Sequence, residues 1–521
     1  MQWRSGTGRR EQKLLWRKAH GRRLFGATAV TGTTRVTGPG VATLVAAMMA
    51  AVTLSAAVMA PAAAEPTTAP ADPGAPILGP VGTSLMHGDL ASTDSTPNPG
   101  PGLRARVRGS SAPGGACAAT FIGSDGMPVS LCTKFIGDPR TGGFAVPSVV
   151  LFDPRTAAPV ASVDLRKGGL LGGVYGYLDG RNRVVVADGS NSVLFVGHRR
   201  TAQGYQVYVD DRVDVSAHIP AGDAVTGLAP DRQGRIWFAT TNGVIGTVGA
   251  DRDVRSMHLP AGEQLGNGLS VRPGGVSVLT THALYEMWTR ADGTPEAVWR
   301  KAYDRGPARR PGQLTWGSGT TPTYFGPGGD GWVAIVDNAD PRPSLIVRES
   351  DTGRLVCRMP AFGTSGQGTE NSPMAWGNSL VIPSTYGYQY PPMAVTGPSQ
   401  PSDAGFTGGS TRIDVSPTGC RRVWENGDRF ASLPRLSRAD GLIHGLGYGR
   451  YVPGAIQQAG PVYYLATDFA TGRRVVSSQV GVAPADEPLE LTGTIAADGT
   501  MWQATIGRML AISGDGRTMQ S

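Results

Sequence analysis

Charge, cysteine and histidine are all scarce: of 521 residues 17% are Asp, Glu, Lys or Arg, four are Cys and seven are His. With 40% hydrophobic residues, so few charges argue against disorder and against a helical rod. No two cysteines are adjacent and none form C-x-x-C, the spacings that hold zinc or a redox pair. There is no G-x-S-x-G elbow for a serine nucleophile and no G-x-x-x-x-G-K-[ST] phosphate loop. The run Gly168-Gly169-Leu170-Leu171-Gly172-Gly173 is glycine-rich but opens no helix, so it reads as a loop. Beyond residue 64 no apolar run is long enough to span a bilayer.

The positive excess is local. The net charge is +8, and residues 1–64 hold nine basic side chains against Glu11, which is 9 − 1 = +8. The remainder is neutral, so the high pI gives no reason to expect a nucleic-acid partner. Within the leader, Val41 to Met59 is uncharged and Ala62-Ala63-Ala64 offers small residues for cleavage. Residues 1–64 therefore read as a secretory signal peptide. The alternative is an uncut N-terminal anchor through 41–59, with the folded part facing outside, and then the membrane is a partner only through that segment. Residues 65–84, rich in Pro, Ala and Thr, read as a linker, 85–514 as the folded domain and 515–521 as a tail.

All four cysteines, Cys117, Cys132, Cys357 and Cys420, follow the leader. An even number in an exported chain points to two disulfides with three possible pairings. Cys117–Cys132 and Cys357–Cys420 is the favoured one, because each joins neighbouring strands or adjacent units.

Glycine and proline are abundant, at 75 and 40 residues, and they punctuate a recurring pattern. An apolar strand meets a tight Asx-Gly or Gly turn and then a second alternating strand, a hairpin signature. Copies begin near Thr120, Val174, Thr226, Asn267, Thr321, Asn371, Leu436 and Thr494. Units of this length, each of three or four strands, indicate an all-β single propeller of eight blades, or seven if the first unit is a cap. A second half-motif sets an Asp before Thr-Gly or Thr between strands, at Asp153-Pro154-Arg155-Thr156, Asp351-Thr352-Gly353 and Asp468-Phe469-Ala470-Thr471-Gly472. It reads as an outer hairpin whose Asp caps the turn while Gly takes a positive φ.

These D-x-x-T-G stretches resemble the repeat of quinoprotein-like (PQQ-like, quinoprotein alcohol dehydrogenase-like) β-propellers. In that family a Trp a few residues later docks onto the next blade, and none of the three copies has it. Met86-His87-Gly88-Asp89, followed by Ser95 and Gly100-Pro101, resembles the family's opening, which typically helps close the ring. Gly319-Thr320-Thr321-Pro322-Thr323, the stretch Asp337 to Arg342, and Thr369-Glu370-Asn371-Ser372 resemble segments of secreted bacterial members without assigned activity. The resemblance covers about 85–514. It implies a fold and not a reaction.

Three sets of residues are candidates for function. Asn267, Glu370 and Asn371 start predicted inner strands at the channel and supply hard oxygen ligands suited to Ca²⁺, with His282 or His444 as a base. Asp337, Asn338 and Asp340 could form a small calcium loop, or simply a turn before Pro341. Tyr386, Tyr388 and Tyr390 form the most aromatic loop and suit a binding surface, or packing over a blade edge. No Asp stands out as the base of a quinone enzyme, so PQQ is not the expected cofactor. The function expected is an exported binding or scaffold module for a protein or a cell-envelope component. The alternative is a Ca-assisted hydrolase or quinone-dependent dehydrogenase working in the channel.

Overall fold

The computed structural model describes residues 77–111, 115–134, 147–167, 175–364, 367–455 and 458–514. The leader, the tail and Gly168–Gly173 lie outside the described residues. Eight sheets follow one another along the chain as the blades of a β-propeller. Their innermost strands are Gly115–Ile122, Tyr177–Leu178, Val225–Pro230, Ser270–Arg272, Thr323–Phe325, Met374–Trp376, Arg435–Ser437 and Thr494–Ile495. Each marks one of the eight units anticipated from the turns. Blades 1 to 6 are four-stranded antiparallel meanders, most of their consecutive strands joined by short Gly turns, with a long connection 384–409 inserted in blade 6.

Ring closure is visible in the packing. Eight buried apolar clusters each join two consecutive blades, from Phe121, Leu151, Leu178 and Val184 between blades 1 and 2 to Tyr464, Val476, Met501 and Leu510 between blades 7 and 8. The cluster of Val150, Phe152, Trp502 and Met509 completes the circle between blades 8 and 1. The hydrophobic core is thus a ring of inter-blade layers, with no centre of its own. Blade 8 supplies only three strands from the C-terminal end, and Arg106–Ser111 pairs antiparallel with Arg508–Ser513 as its outer strand. The opening motif at 86–89 does not close the ring. The closing strand lies about twenty residues further on, and the motif has another task.

The disulfides are Cys117–Cys132 and Cys357–Cys420. The first bridges directly paired residues of neighbouring strands in blade 1, and the second ties the outer strands of blades 5 and 6.

The outer hairpins form where expected. Asp153 Oδ1 accepts the Arg155 and Thr156 N–H groups, and Asp468 Oδ1 accepts that of Thr471. In the middle copy Glu349 takes the capping place expected for Asp351, accepting from Thr352 Oγ1. Tryptophan docking is also present, in strands the motif search passed over. Trp299 in blade 4 donates its indole N–H to Ser350 O at 2.8 Å, and Trp424 in blade 6 donates to Phe469 O at 2.9 Å. Each indole lies against the Thr-Gly turn of the next blade. Thr418-Gly419 followed by Trp424 was the readable signal.

A blind pocket in the central channel

The channel is closed at one end by the chain's own N-terminal segment. Residues 77–84, expected as linker, and 85–98 run around the inner strands and accept their hydrogen bonds. Ile122 N–H donates to Thr83 O, Leu178 to Ser84 O, Val271 to Leu90 O, Tyr324 to Ala91 O, Ala375 to Thr93 O and Leu436 to Asp94 O, at 2.6–3.2 Å. Asn98 Nδ2 adds a bond to Ile495 O of blade 8. Innermost propeller strands leave a row of unpaired backbone groups, and a segment that satisfies them is held regardless of its side chains. This segment is the floor of the channel.

Above the floor lies a cavity of about 180 Å³. Its walls are the residues that lead into the inner strands, and they are mainly apolar, with Ala116, Ala118, Leu314, Leu433 and Leu491 among them. The long connection 384–409 of blade 6 forms a roof: Tyr390, Pro391 and Ala394 line the cavity. The roof is pinned to the loop before blade 5, where Thr396 N–H donates to Leu314 O, Gln400 N–H to Arg309 O, and Thr385 Oγ1 to Gly312 O.

Asn267, Glu370 and Asn371 all line this cavity, and Glu490 joins them from the loop leading into blade 8. Asn371 Nδ2 donates to Glu490 Oε2 at 2.9 Å, and Leu314 N–H donates to Glu370 Oε2 at 3.1 Å. Both residues line the cavity, and their carboxyls are largely enclosed by protein. Burial pushes Glu370 up to about 8 against the opposing pull of the Leu314 N–H and the Arg309 charge. Glu490 also rises to about 8, through burial first and the neighbouring Glu487 and Glu370 second. Glu490 Oε1 is buried without a hydrogen-bond partner.

His87 forms the cavity floor, and the sequence reading missed it. It is 7% exposed, with Nδ1 at 3.0 Å from both Asp94 carboxylate oxygens. Asp94 is in turn bound by Arg435 Nη1 at 3.2 Å. In the neutral tautomer that donates Nδ1–H to Asp94, Nε2 is an acceptor, and it is buried with no partner. Gly88 allows this turn: its φ is +85°, and a Cβ there would sit 2.5 Å from Ser95 O. Tyr175 stacks beside the imidazole, with ring centroids 6.2 Å apart.

The other sequence candidates lie elsewhere. His282 Nε2 accepts from Arg305 Nη1 at 2.7 Å, and burial together with that charge lowers its pKa. His444 is fully buried in blade 7 between Asp440 and Tyr464. Neither lines the cavity. The 337–340 loop is a salt-bridged turn and not an ion cage. Asp337, which burial raises to about 6, accepts the Ala339 and Ser344 N–H groups and an Arg358 guanidinium. Asn338 bonds Arg305 O, Ala308 O and Arg310, and Asp340 pairs with Arg310. The tyrosines present no common surface: Tyr388 is 2% exposed and donates to Glu487, Tyr386 is half-buried, and only Tyr390 turns to the cavity.

Neither group that the quinoprotein resemblance implies fits these residues. PQQ carries three carboxylates, and among the described residues no Lys or Arg lines the cavity. Calcium needs several ionised or carbonyl oxygens converging. Among the described residues no three His, Cys, Asp or Glu side chains gather to hold a metal.

No family model matches the chain, and no curated protein sequence matches it. Solved structures do. BamB from Moraxella catarrhalis superposes with a TM-score of 0.33 at 14% identity, over 68% of this chain and 96% of that one. A europium-containing methanol dehydrogenase gives 0.49 at 10% identity, over 82% and 98%. The Dos1 propeller gives 0.46 at 9%, over 79% and 95%. Values this low say nothing of activity. The eight-bladed ring rests on the chain's own strand order.

Proposed function

We propose that this protein is an extracytoplasmic binding module that holds a small molecule in the blind channel pocket. The observation that carries the reading is the pocket's construction: a floor threaded from the N-terminal segment, a roof from the blade 6 insertion, and unpartnered polar atoms of His87 and Glu490 between them. A buried polar atom without a partner is expensive, by about 1–3 kcal/mol, and a bound ligand relieves it. The two disulfides and the signal-like leader support placement outside the reducing cytosol. Among the described residues no helix is long and apolar enough to cross a membrane.

The test is retention. Protein recovered under native conditions from its exporting cells is denatured, and the released small molecules are identified by mass spectrometry. A species present at one per chain in wild type and lost in the cavity-filling Ala118→Trp, with unchanged circular dichroism, supports the reading. Equal retention by both proteins refutes it. The His87–Asp94 pair favours a second reading, in which the same pocket hosts proton transfer, because an anchored imidazole with a bare Nε2 is a general base. Turnover of the retained species, lost in His87→Gln while binding persists, distinguishes that case.

A further inference from the structure

We infer that the ligand class of this pocket is an organic ammonium ion on an apolar body. The inference rests on the binding reading above and assigns its chemistry. Two buried polar atoms of the lining residues, His87 Nε2 and Glu490 Oε1, have no hydrogen-bond partner. His87 Nε2 is an acceptor in the neutral tautomer that gives Nδ1–H to Asp94, and Glu490 Oε1 becomes one when its carboxyl is ionised. Each amide in the wall already gives one N–H to protein, Asn371 Nδ2 to Glu490 and Asn267 Nδ2 to Ser318 O. Among the described residues no Lys or Arg lines the cavity. Arg309, the cation that acts on Glu370, gives its N–H groups to Gly397 O and Gln313 O, and Arg435 is sealed beneath Asp94. A carboxylate or phosphate ligand would find no countercharge among the described lining residues, whereas an ammonium finds His87 Nε2, the carboxylates of Glu370 and Glu490 once they are ionised, and the ring of Tyr175 or Tyr390. The predominantly hydrocarbon walls ask for an alkyl or aryl remainder.

The carboxyls supply a consequence that an apolar hole would not have. Glu370 faces Arg309, Tyr175, Tyr390 and Glu490, while Glu490 faces Glu370, Glu487, Asn371, Tyr388, Tyr390 and Tyr448. Both hold a proton at neutral pH, so an entering cation must displace at least one. Binding then releases a proton and strengthens with rising pH, by about tenfold per unit for each proton released below a pKa of about 8.

The full exported chain is titrated calorimetrically with hexylammonium, hexanol, hexanoate and calcium chloride, from about pH 6 to about pH 9, in buffers of differing ionisation enthalpy. Expected are tightest binding of hexylammonium, no binding of hexanoate, proton release on binding, and a loss of about tenfold or more in Glu490→Gln. Glu490→Gln is isosteric, and its fold is checked by thermal melting, with Glu370→Gln as the second variant. Hexanol binding as tightly as hexylammonium overturns the ammonium assignment but leaves the pocket as a binding site. So does hexanoate binding more tightly than hexylammonium. Calcium binding lost in Glu490→Gln replaces the assignment with a metal site. Absence of binding by every probe overturns the assignment too, whereas the binding reading fails separately, on retention by Ala118→Trp.

Discussion

Arg435 Nη1 donates to Asp94 Oδ1 at 3.2 Å across 341 positions of sequence, fastening the channel floor to the inner strand of blade 7. Arg435 is 1% exposed and Asp94 is fully buried, so neither charge has water to fall back on. Removing one partner of such a pair costs about 3–5 kcal/mol, while replacing both costs far less. Asp94→Asn is therefore expected to lower the urea midpoint strongly. The double variant Asp94→Asn with Arg435→Met should recover part of the loss. Additive losses in that cycle would show that the pair is not coupled.

The cavity carboxyls set the direction of a pH effect. Glu370 and Glu490 have folded-state values of about 8, against 4.5 for a free Glu. Between those values the folded chain binds more protons than the unfolded one, so stability falls as pH rises through this window and levels off above it. Melting temperature is expected to drop from about pH 5 to about pH 8, and the drop should shrink in the double variant Glu370→Gln with Glu490→Gln. Parallel curves for the two proteins would contradict the assignment.

The two disulfides are predicted to differ in worth. Their sequence separations are 15 and 63 residues, and constraint of the unfolded chain grows with the logarithm of loop length. The pair Cys357→Ser with Cys420→Ser should lose about 1 kcal/mol more than Cys117→Ser with Cys132→Ser. Chemical denaturation of the two variants measures this directly.

The roof hangs on a close backbone approach. Gly312 has φ +84°, and a Cβ there would lie 1.9 Å from Thr385 O. Gly312→Ala is expected to cost on the order of 1–3 kcal/mol and to loosen the roof. Hydrogen exchange should accelerate in residues 384–400, with the sheet of blade 2 unaffected. Uniform acceleration would mean that the roof is not a separate unit.

Much of the architecture was legible because turns announce themselves. Asp125-Gly126, Asp179-Gly180 and Asp498-Gly499 each mark the hairpin between the first two strands of a blade, where Asp Oδ1 caps the turn by accepting N–H groups of Met127, Arg181 and Thr500. Asn267, Glu370 and Asn371 were readable as channel residues since they precede inner strands. The floor was not readable. Its carbonyls bind inner-strand N–H groups, an interaction that any sequence can make, so 77–84 carried the composition of a linker. His87 was hidden with it, and Glu490 stood in a loop without a pattern. His282 and His444 misled because a histidine beside a strand says nothing of which way the ring points. Here the rings point to Arg305 and to Asp440.

The strand Arg106–Ser111 is synthesised before any of the blades, yet its partner Arg508–Ser513 follows all of their other strands. Until the final blade emerges, neither the floor nor the first edge has a finished ring to sit in. A product that stops short of Arg508 keeps an open sheet edge for proteases to find, and the ring seals only once Arg508–Ser513 has been made.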